Sequence, residues 1–183
     1  MNDKIFLMGA AAMAATLAIS NYLVLIPLGA WLTYGAFTYP ISFLVTDCVN
    51  RAAGARCARR VVAAGFCVGV PLSFWVNAGA GGDDAMWSAL RVAAASGTAF
   101  AVSQLLDVAI FDRLRRAVWW LPPAASSGPA SVTDTVLFFA LAFGGSGLPW
   151  LTWAAGDFAV KVVMVLALLP LYRLATMRLA VAR

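Results

Sequence analysis

The stretch WAAGDFAVKVVMVLALLPLYRL (Trp153–Leu174) is apolar almost throughout. About 20 apolar residues in helical form cross a bilayer core, so this stretch reads as a membrane span. It nevertheless carries Asp157 and Lys161, four residues apart with the acid N-terminal. That order and spacing put the two charges on one helical face as a favourable pair. A charge near the bilayer centre costs roughly 2.5–3.5 kcal/mol on the insertion scale unless it is paired or hydrated. Two readings stand side by side: an internal ion pair that orders a helix bundle, and a polar wall of a substrate cavity.

The rest of the chain has the same character. Hydrophobic residues are 63% of the 183 and charged residues only 11%, with a mean hydropathy of +0.87. Soluble domains carry roughly 45–50% apolar and about 25% charged residues. Uninterrupted apolar runs predict six spans: Ile5–Leu25, Trp31–Cys48, Arg59–Ala78, Met86–Phe111, Val132–Gly147 and Trp153–Leu174. Between them lie a Pro27–Gly29 turn, a basic stretch Asn50–Arg60 and a Gly-rich acidic stretch Gly79–Asp84. A long basic, Pro-rich connection Asp112–Ala130 and a Gly/Pro loop around Gly144–Pro149 complete the set. The opening run is read as a retained helix, because five similar runs follow it and no small-residue cleavage site does. The expected fold is all-α: a polytopic, compact six-transmembrane-helix bundle forming one domain over residues 1–183, with no sizeable extramembrane part.

Composition also excludes chemistry. The chain has no His, and its eight acids are all Asp. That removes the usual zinc and di-iron ligand sets and any Ser-His-Asp triad. No G-x-x-x-x-G-K-[ST] run is present, and no nucleophile–base pair is visible. The expectation is a protein that is not an enzyme and uses no cofactor or metal. Cys48, Cys57 and Cys67 have no metal-site spacing and read as reduced thiols at or near one membrane face.

The net charge of +5 resolves into a topology signal. Eleven of the thirteen Lys and Arg (Lys4; Arg51, Arg56, Arg59, Arg60; Arg113, Arg115, Arg116; Arg173, Arg178, Arg183) fall on one side of the predicted spans. The opposite loops hold Asp83 and Asp84 instead. By the positive-inside rule both termini are cytoplasmic. Trp31, Trp75, Trp87, Trp150 and Trp153 then mark the outer interface, and Trp119 and Trp120 the inner one. The partners to expect are membrane lipid and a small molecule, and no nucleic acid.

Further polar groups interrupt the spans. Arg91 enters early in the fourth, where it either snorkels to the interface or faces a cavity. Asn21, near the outer end of the first, is a packing hydrogen bond or a ligand contact. In the inner half, Ser103, Gln104 and Asp107 lie in the fourth span; Thr46, Asp47 and Asn50 close the second; Thr133, Asp134 and Thr135 open the fifth. Asp134 in a first helical turn is favoured by the helix dipole, and Asp47 has arginines nearby to pair with. As ligand contacts, these carboxylates and the Gln104 amide suit a purine-like ring. A carboxylate accepts from both donors of an amidine edge, and an amide reads the neighbouring carbonyl. Phe37, Tyr39, Phe43, Phe138 and Phe139 are candidates for a stacking face or for core. Ala10, Ala14 and Ala18, with Ala11 and Ala15, form a small-residue stripe for close helix packing or for docking another protein.

Five segments occur in an order and spacing that resembles a known family: SNYLV (Ser20–Val24), YGAFTYPISFLVTDCVNRAAGARCARRVV (Tyr34–Val62), SQLLDVAIFDRLRR (Ser103–Arg116), SVTDTVLFFALAF (Ser131–Phe143) and DFAVKVV (Asp157–Val163). Together they resemble the queuosine precursor transporter family, also called the vitamin uptake transporter family. The resemblance implies import of 7-deazaguanine precursors of queuosine, chiefly 7-cyano-7-deazaguanine, across a bacterial inner membrane to supply tRNA modification. It also implies that the family's polar positions fall at Asn21, Asp47, Asn50, Arg91, Gln104, Asp107, Asp134, Asp157 and Lys161. The reading is a carrier working by alternating access, with Asp107 and Asp157 as the proton-coupling candidates if protons drive it. The rival is a substrate-capture subunit that needs an ATP-driven energising partner. The oligomeric state stays open, and so small a bundle makes a homodimer plausible.

Overall fold

The computed structural model describes residues 2–29, 31–79 and 85–181. Asp83, Asp84 and Arg183 lie outside the described residues. Among these residues the chain forms α1 (Asn2–Leu23), a two-residue hairpin of β1 (Pro27–Leu28) and β2 (Leu32–Thr33), one helical turn α2 (Gly35–Thr38), and α3 (Ile41–Ala53). Four longer helices follow: α4 (Ala55–Ala78), α5 (Ala85–Leu114), α6 (Leu121–Phe143) and α7 (Trp150–Val181). The fold is all-α apart from the hairpin. Among the described residues four helices are long and apolar enough to cross a membrane: Asp3–Leu23, Ala55–Ala78, Met86–Leu114 and Trp150–Arg178.

Two predicted spans need correction. Trp31–Cys48 is not one helix. Its first residues form the hairpin, in which Pro27 pairs with Thr33 and Leu28 with Leu32. Pro40 then separates α2 from α3, because it has no N–H to give the preceding turn. Ser42 and Phe43 donate instead to the Tyr39 and Pro40 carbonyls, three residues back. The second correction concerns the expected connection Asp112–Ala130. Its second half is helical: α6 begins at Leu121 and not at Val132. Pro122 and Pro123 occupy the first turn, where a missing N–H costs nothing. Asp134 therefore lies deep inside a helix and not in its first turn.

α3 is the hub. It packs against α1, α4, α5, α6 and α7, and its own buried residues are mainly polar or small: Ser42, Thr46, Asp47, Asn50 and Ala52, with Phe43 and Val49. Around it, α5 lies between α4 and α6, while α1 closes on α4 and α7 on α6. The α1–α4 seam is not the alanine stripe. Gly9, Met13 and Leu17 of α1 are buried, whereas Ala11, Ala15 and Ala18 point outward. Facing them on α4 are Gly65 and Gly69, a small-xxx-small pair that lets two helices approach closely. A Cβ on Gly65 would lie 2.7 Å from Met13 Cγ and 3.0 Å from Phe100 Cζ.

Contacts gather the basic residues at one end of the bundle. Arg60 stacks over Phe6 and Arg173 over Trp119, while Arg51 and Arg115 each donate to the other's backbone carbonyl. The hairpin lies at the other end, its Leu32 packed on Gly156 of α7. Cys67 is exposed in the middle of α4, away from the basic end where Cys48 and Cys57 sit.

The glycine seam makes a stability prediction. Gly65→Val overpacks the Met13–Phe100 contact and should destabilise the protein by about 1–3 kcal/mol. Thermal unfolding of the detergent-solubilised protein checks this: a melting temperature several degrees lower is expected, and an unchanged one refutes the packing account.

Candidate functional site

Between the hairpin and the middle of the bundle lies an open cavity of about 460 Å³. Pockets that hold small organic ligands fall in the range of roughly 300–1,000 Å³. Its walls come from α1, the hairpin, α4, α5, α6 and α7. They are mainly apolar and aromatic, with Trp31, Phe100, Phe138, Phe139, Phe143 and Trp153 among them. Phe143 meets Trp153 edge to face with centroids 5.6 Å apart. Polar groups are few: Ser20 and Asn21 on α1, Thr33 on the hairpin, Ser73 and Asn77 on α4, Ser96 on α5, and a charged floor.

The floor is a network around Lys161. This lysine is 3% exposed, and its Nζ donates to Asp157 Oδ2 at 2.5 Å, Asp134 Oδ2 at 2.7 Å and Thr135 Oγ1 at 3.0 Å. An ammonium has three protons to give, and all three are used. Thr135 Oγ1 donates onward to Asp157 Oδ2 at 2.8 Å. Tyr39 Oη and Ser103 Oγ donate to Asp134 Oδ1 at 2.8 and 3.1 Å. Four elements thus meet on two carboxylates: the α2–α3 break, α5, α6 and α7. Asp134 is consumed by these contacts. Asp157, whose side chain is 17% exposed, still turns toward the cavity.

Below this floor, toward the basic end, lies a second polar layer on α3 and α5. Gln104 donates to Ser42 Oγ at 3.0 Å and accepts from Thr46 Oγ1 at 2.6 Å, and all three residues are fully buried. Asn50 donates to the Val108 carbonyl at 3.2 Å. Asp107 accepts from Ser127 Oγ at 3.4 Å, and Ser127 shares a small pocket with Asp47.

The candidate residues therefore divide three ways. Asn21, Asp134, Asp157 and Lys161 line the cavity; Asn21 also donates to the Leu17 carbonyl at 2.9 Å. Asp47, Asn50, Gln104 and Asp107 are in the lower layer and do not border it. Arg91 is exposed on α5 and donates from Nε to the Leu141 carbonyl at 2.8 Å and from Nη2 to that of Gly144 at 2.5 Å. It caps the C-terminal end of α6, where carbonyls lack helical partners. Of the candidate aromatics, Tyr39, Phe138 and Phe139 reach the cavity, Phe43 is buried, and Phe37 faces outward. Ser42, Asn77, Ser126, Ser127 and Tyr172 escaped the sequence reading. Serines and a lone asparagine give no periodic signal, and Ser126 and Ser127 sit in a stretch read as a connection.

Against known proteins, residues 33–175 match the family model described as "Putative vitamin uptake transporter". The chain belongs to that family. It is 38% identical over 173 aligned residues to the queuosine precursor transporter of Escherichia coli strain K12, covering 84% of this chain and 78% of the relative. Proteins of Haemophilus influenzae and Bacillus subtilis, both named probable queuosine precursor transporters, are 32% and 30% identical, covering 75% and 88% of this chain and 70% and 78% of their own lengths. No solved structure matches. The family match begins at the hairpin and ends in the second half of α7, so it contains the whole charged floor. With its several apolar helices, this member of the family is a multi-pass membrane protein.

The lysine network predicts a measurable asymmetry. Lys161→Met leaves two buried carboxylates without their cation and should cost about 3–5 kcal/mol, the usual penalty for breaking a buried pair. The triple variant Lys161→Met, Asp134→Asn, Asp157→Asn should recover much of that stability. Thermal melts of the three proteins decide it, and a single variant as stable as wild type contradicts the role assigned to Lys161.

Proposed function

We propose that this protein imports a queuosine precursor, 7-cyano-7-deazaguanine or its aminomethyl relative, across a bacterial inner membrane by alternating access. The reading rests on family membership, on the names of the relatives, and above all on one observation: a cavity of about 460 Å³ with aromatic walls and a partly buried Asp157 at its floor. The amidine edge of a deazaguanine offers two parallel N–H donors, which one carboxylate accepts together. Asp157 is the carboxylate placed for this: Lys161 and Thr135 occupy Oδ2 and hold it in position, which leaves both lone pairs of Oδ1 to receive the edge. Phe138 and Trp153 offer faces for the flat ring. Asp134 fixes Lys161 and Tyr39 and does not contact the ligand.

In this reading the six membrane segments are α1, the broken α2–α3 segment, α4, α5, α6 and α7, with the basic end and both termini in the cytoplasm. The structure is then the outward-open state. Beneath the cavity, the Gln104 layer and the reciprocal Arg51–Arg115 clasp close the inner end. Import requires that clasp to part while the hairpin and the outer helix ends draw together. The break at Pro40 is a natural hinge for this, because it absorbs rotation without losing a helical hydrogen bond. Broken helices at mid-membrane binding sites are a general device of secondary carriers.

The competing reading, a capture subunit energised by an ATP-driven partner, draws on the outward-facing Ala11, Ala15 and Ala18 of α1 as a docking face. Uptake into proteoliposomes containing only this protein discards it.

A bacterial host lacking both precursor synthesis and its own importer provides the test. Expression of this chain with nanomolar 7-cyano-7-deazaguanine in the medium should restore queuosine to tRNA. Asp157→Asn should raise the concentration needed by roughly 10–100-fold, the worth of a hydrogen bond to a charged group. Arg91→Gln should leave it within a few-fold. No restoration, with the protein present in the membrane, overturns the substrate assignment.

A further inference from the structure

The lower polar layer contains groups that the import reading leaves unused. Asp47 of α3 and Asp107 of α5 are 3% and 0% exposed and meet at Ser127, which donates to Asp107 Oδ1 at 3.4 Å and lines a small pocket together with Asp47. Among the described residues neither forms a salt bridge. Asp47 Oδ1 and Asp107 Oδ2 have no hydrogen-bond partner, and the same is true of the neighbouring buried Ser126 Oγ and Tyr172 Oη. A cavity of about 20 Å³ opens beside Asp47, lined also by Ser127 and Tyr172. One water molecule needs roughly 10–15 Å³, so the pocket admits one.

The charges facing this pair can be counted by element. α3 contributes Asp47 itself, with Cys48 and Arg51 beyond it. α5 contributes Asp107 and, further toward the basic end, Arg115. α6 presents only the hydroxyls of Ser126 and Ser127, and α7 only Tyr172. The two guanidinium groups are committed to each other's backbone carbonyls and not to the carboxyls. Two carboxylates so close and so dry cannot both stay ionised. Two buried neighbouring carboxyls, each with an unpartnered oxygen and no cation, are accommodated by one shared proton, as in aspartic protease dyads.

We propose that Asp47 and Asp107 form a proton-binding dyad, separate from the substrate cavity, through which import is coupled to a proton gradient. This rests on the import reading above. In the outward-open state the dyad holds one proton and carries one negative charge. Parting of the Arg51–Arg115 clasp brings water from the basic end to the small pocket. The proton then leaves to that water, and the pair of carboxylates repel until a second proton returns from the outer side. Proton occupancy and the state of the inner gate are thereby tied, because α3 carries both Asp47 and Arg51.

Two measurements on the purified full chain test it. Infrared spectra at neutral pH should show a protonated-carboxyl band that shifts in deuterium oxide and disappears in the Asp47→Asn, Asp107→Asn double variant. In proteoliposomes, an inward proton gradient of one pH unit should drive labelled 7-cyano-7-deazaguanine to about tenfold accumulation, the limit for one proton per substrate. Asp107→Asn should bind the base as wild type does and exchange it across the membrane, yet accumulate none. Absence of the band, accumulation that follows a sodium gradient and ignores pH, or full accumulation by Asp107→Asn each overturns the dyad. If the wild type binds no deazapurine while the band is present, the substrate reading fails and the dyad stands.

Discussion

One buried ammonium organises this molecule. Lys161 is 3% exposed at the floor of the cavity, and a charge so buried is tolerable only if its protons are all taken. Meeting that demand draws Asp134 from α6 and Asp157 from its own helix, and Asp134 in turn recruits Tyr39 and Ser103. The α6–α7 contact, the position of the broken segment and the floor of the cavity are therefore set by a single constraint. The network holds two acids for one base. Of the two, Asp157 has the more exposed side chain toward the cavity.

The polar interior is arranged in tiers, and α3 makes this possible. A 13-residue helix lined with Ser42, Thr46, Asp47 and Asn50 would be a poor solitary span. Enclosed by five other helices it meets no lipid on that face, and its polar groups become cross-links. Gln104 is bound on both sides of its amide by α3 hydroxyls, which fixes α5 to α3 between the cavity floor and the carboxyl pair. Polar contacts of this kind take the place of a hydrophobic driving force, which is weak between helices in lipid. The glycines of α4 do the complementary work on the outer seam, by bringing α1 close enough for dispersion contacts.

Much of this was legible in the chain. The long apolar runs, the clustering of bases between alternate runs and the i,i+4 spacing of Asp157 and Lys161 are all local properties, and the helices α1, α4, α5 and α7 follow from them. The errors share one cause. The segment around Trp31–Cys48 reads as an ordinary span because its apolar content is high, yet the hairpin strand Leu32–Thr33 and Pro40 break it. The stretch Leu121–Ala130 reads as a connection because it is rich in Pro and Ser, yet Pro122 and Pro123 occupy the helix start, Pro129 lies inside the helix and the serines face inward. Hydropathy averages over a window, and neither helix breaking nor the facing of small polar residues survives that average.

The sequence alone determined the membrane-spanning class, the segregation of charge to one end and the residues with no business in lipid, because these depend only on composition and spacing along the chain. Which of those residues share a site was decided by tertiary structure. Asp134 joined Lys161 rather than the carboxyls of Asp47 and Asp107 because the rotation of α6 about its axis turns it to α7. Arg91 became a helix cap because the end of α6 lies beside it. Pairing across helices is set by helix rotation and register, and a one-dimensional pattern carries neither.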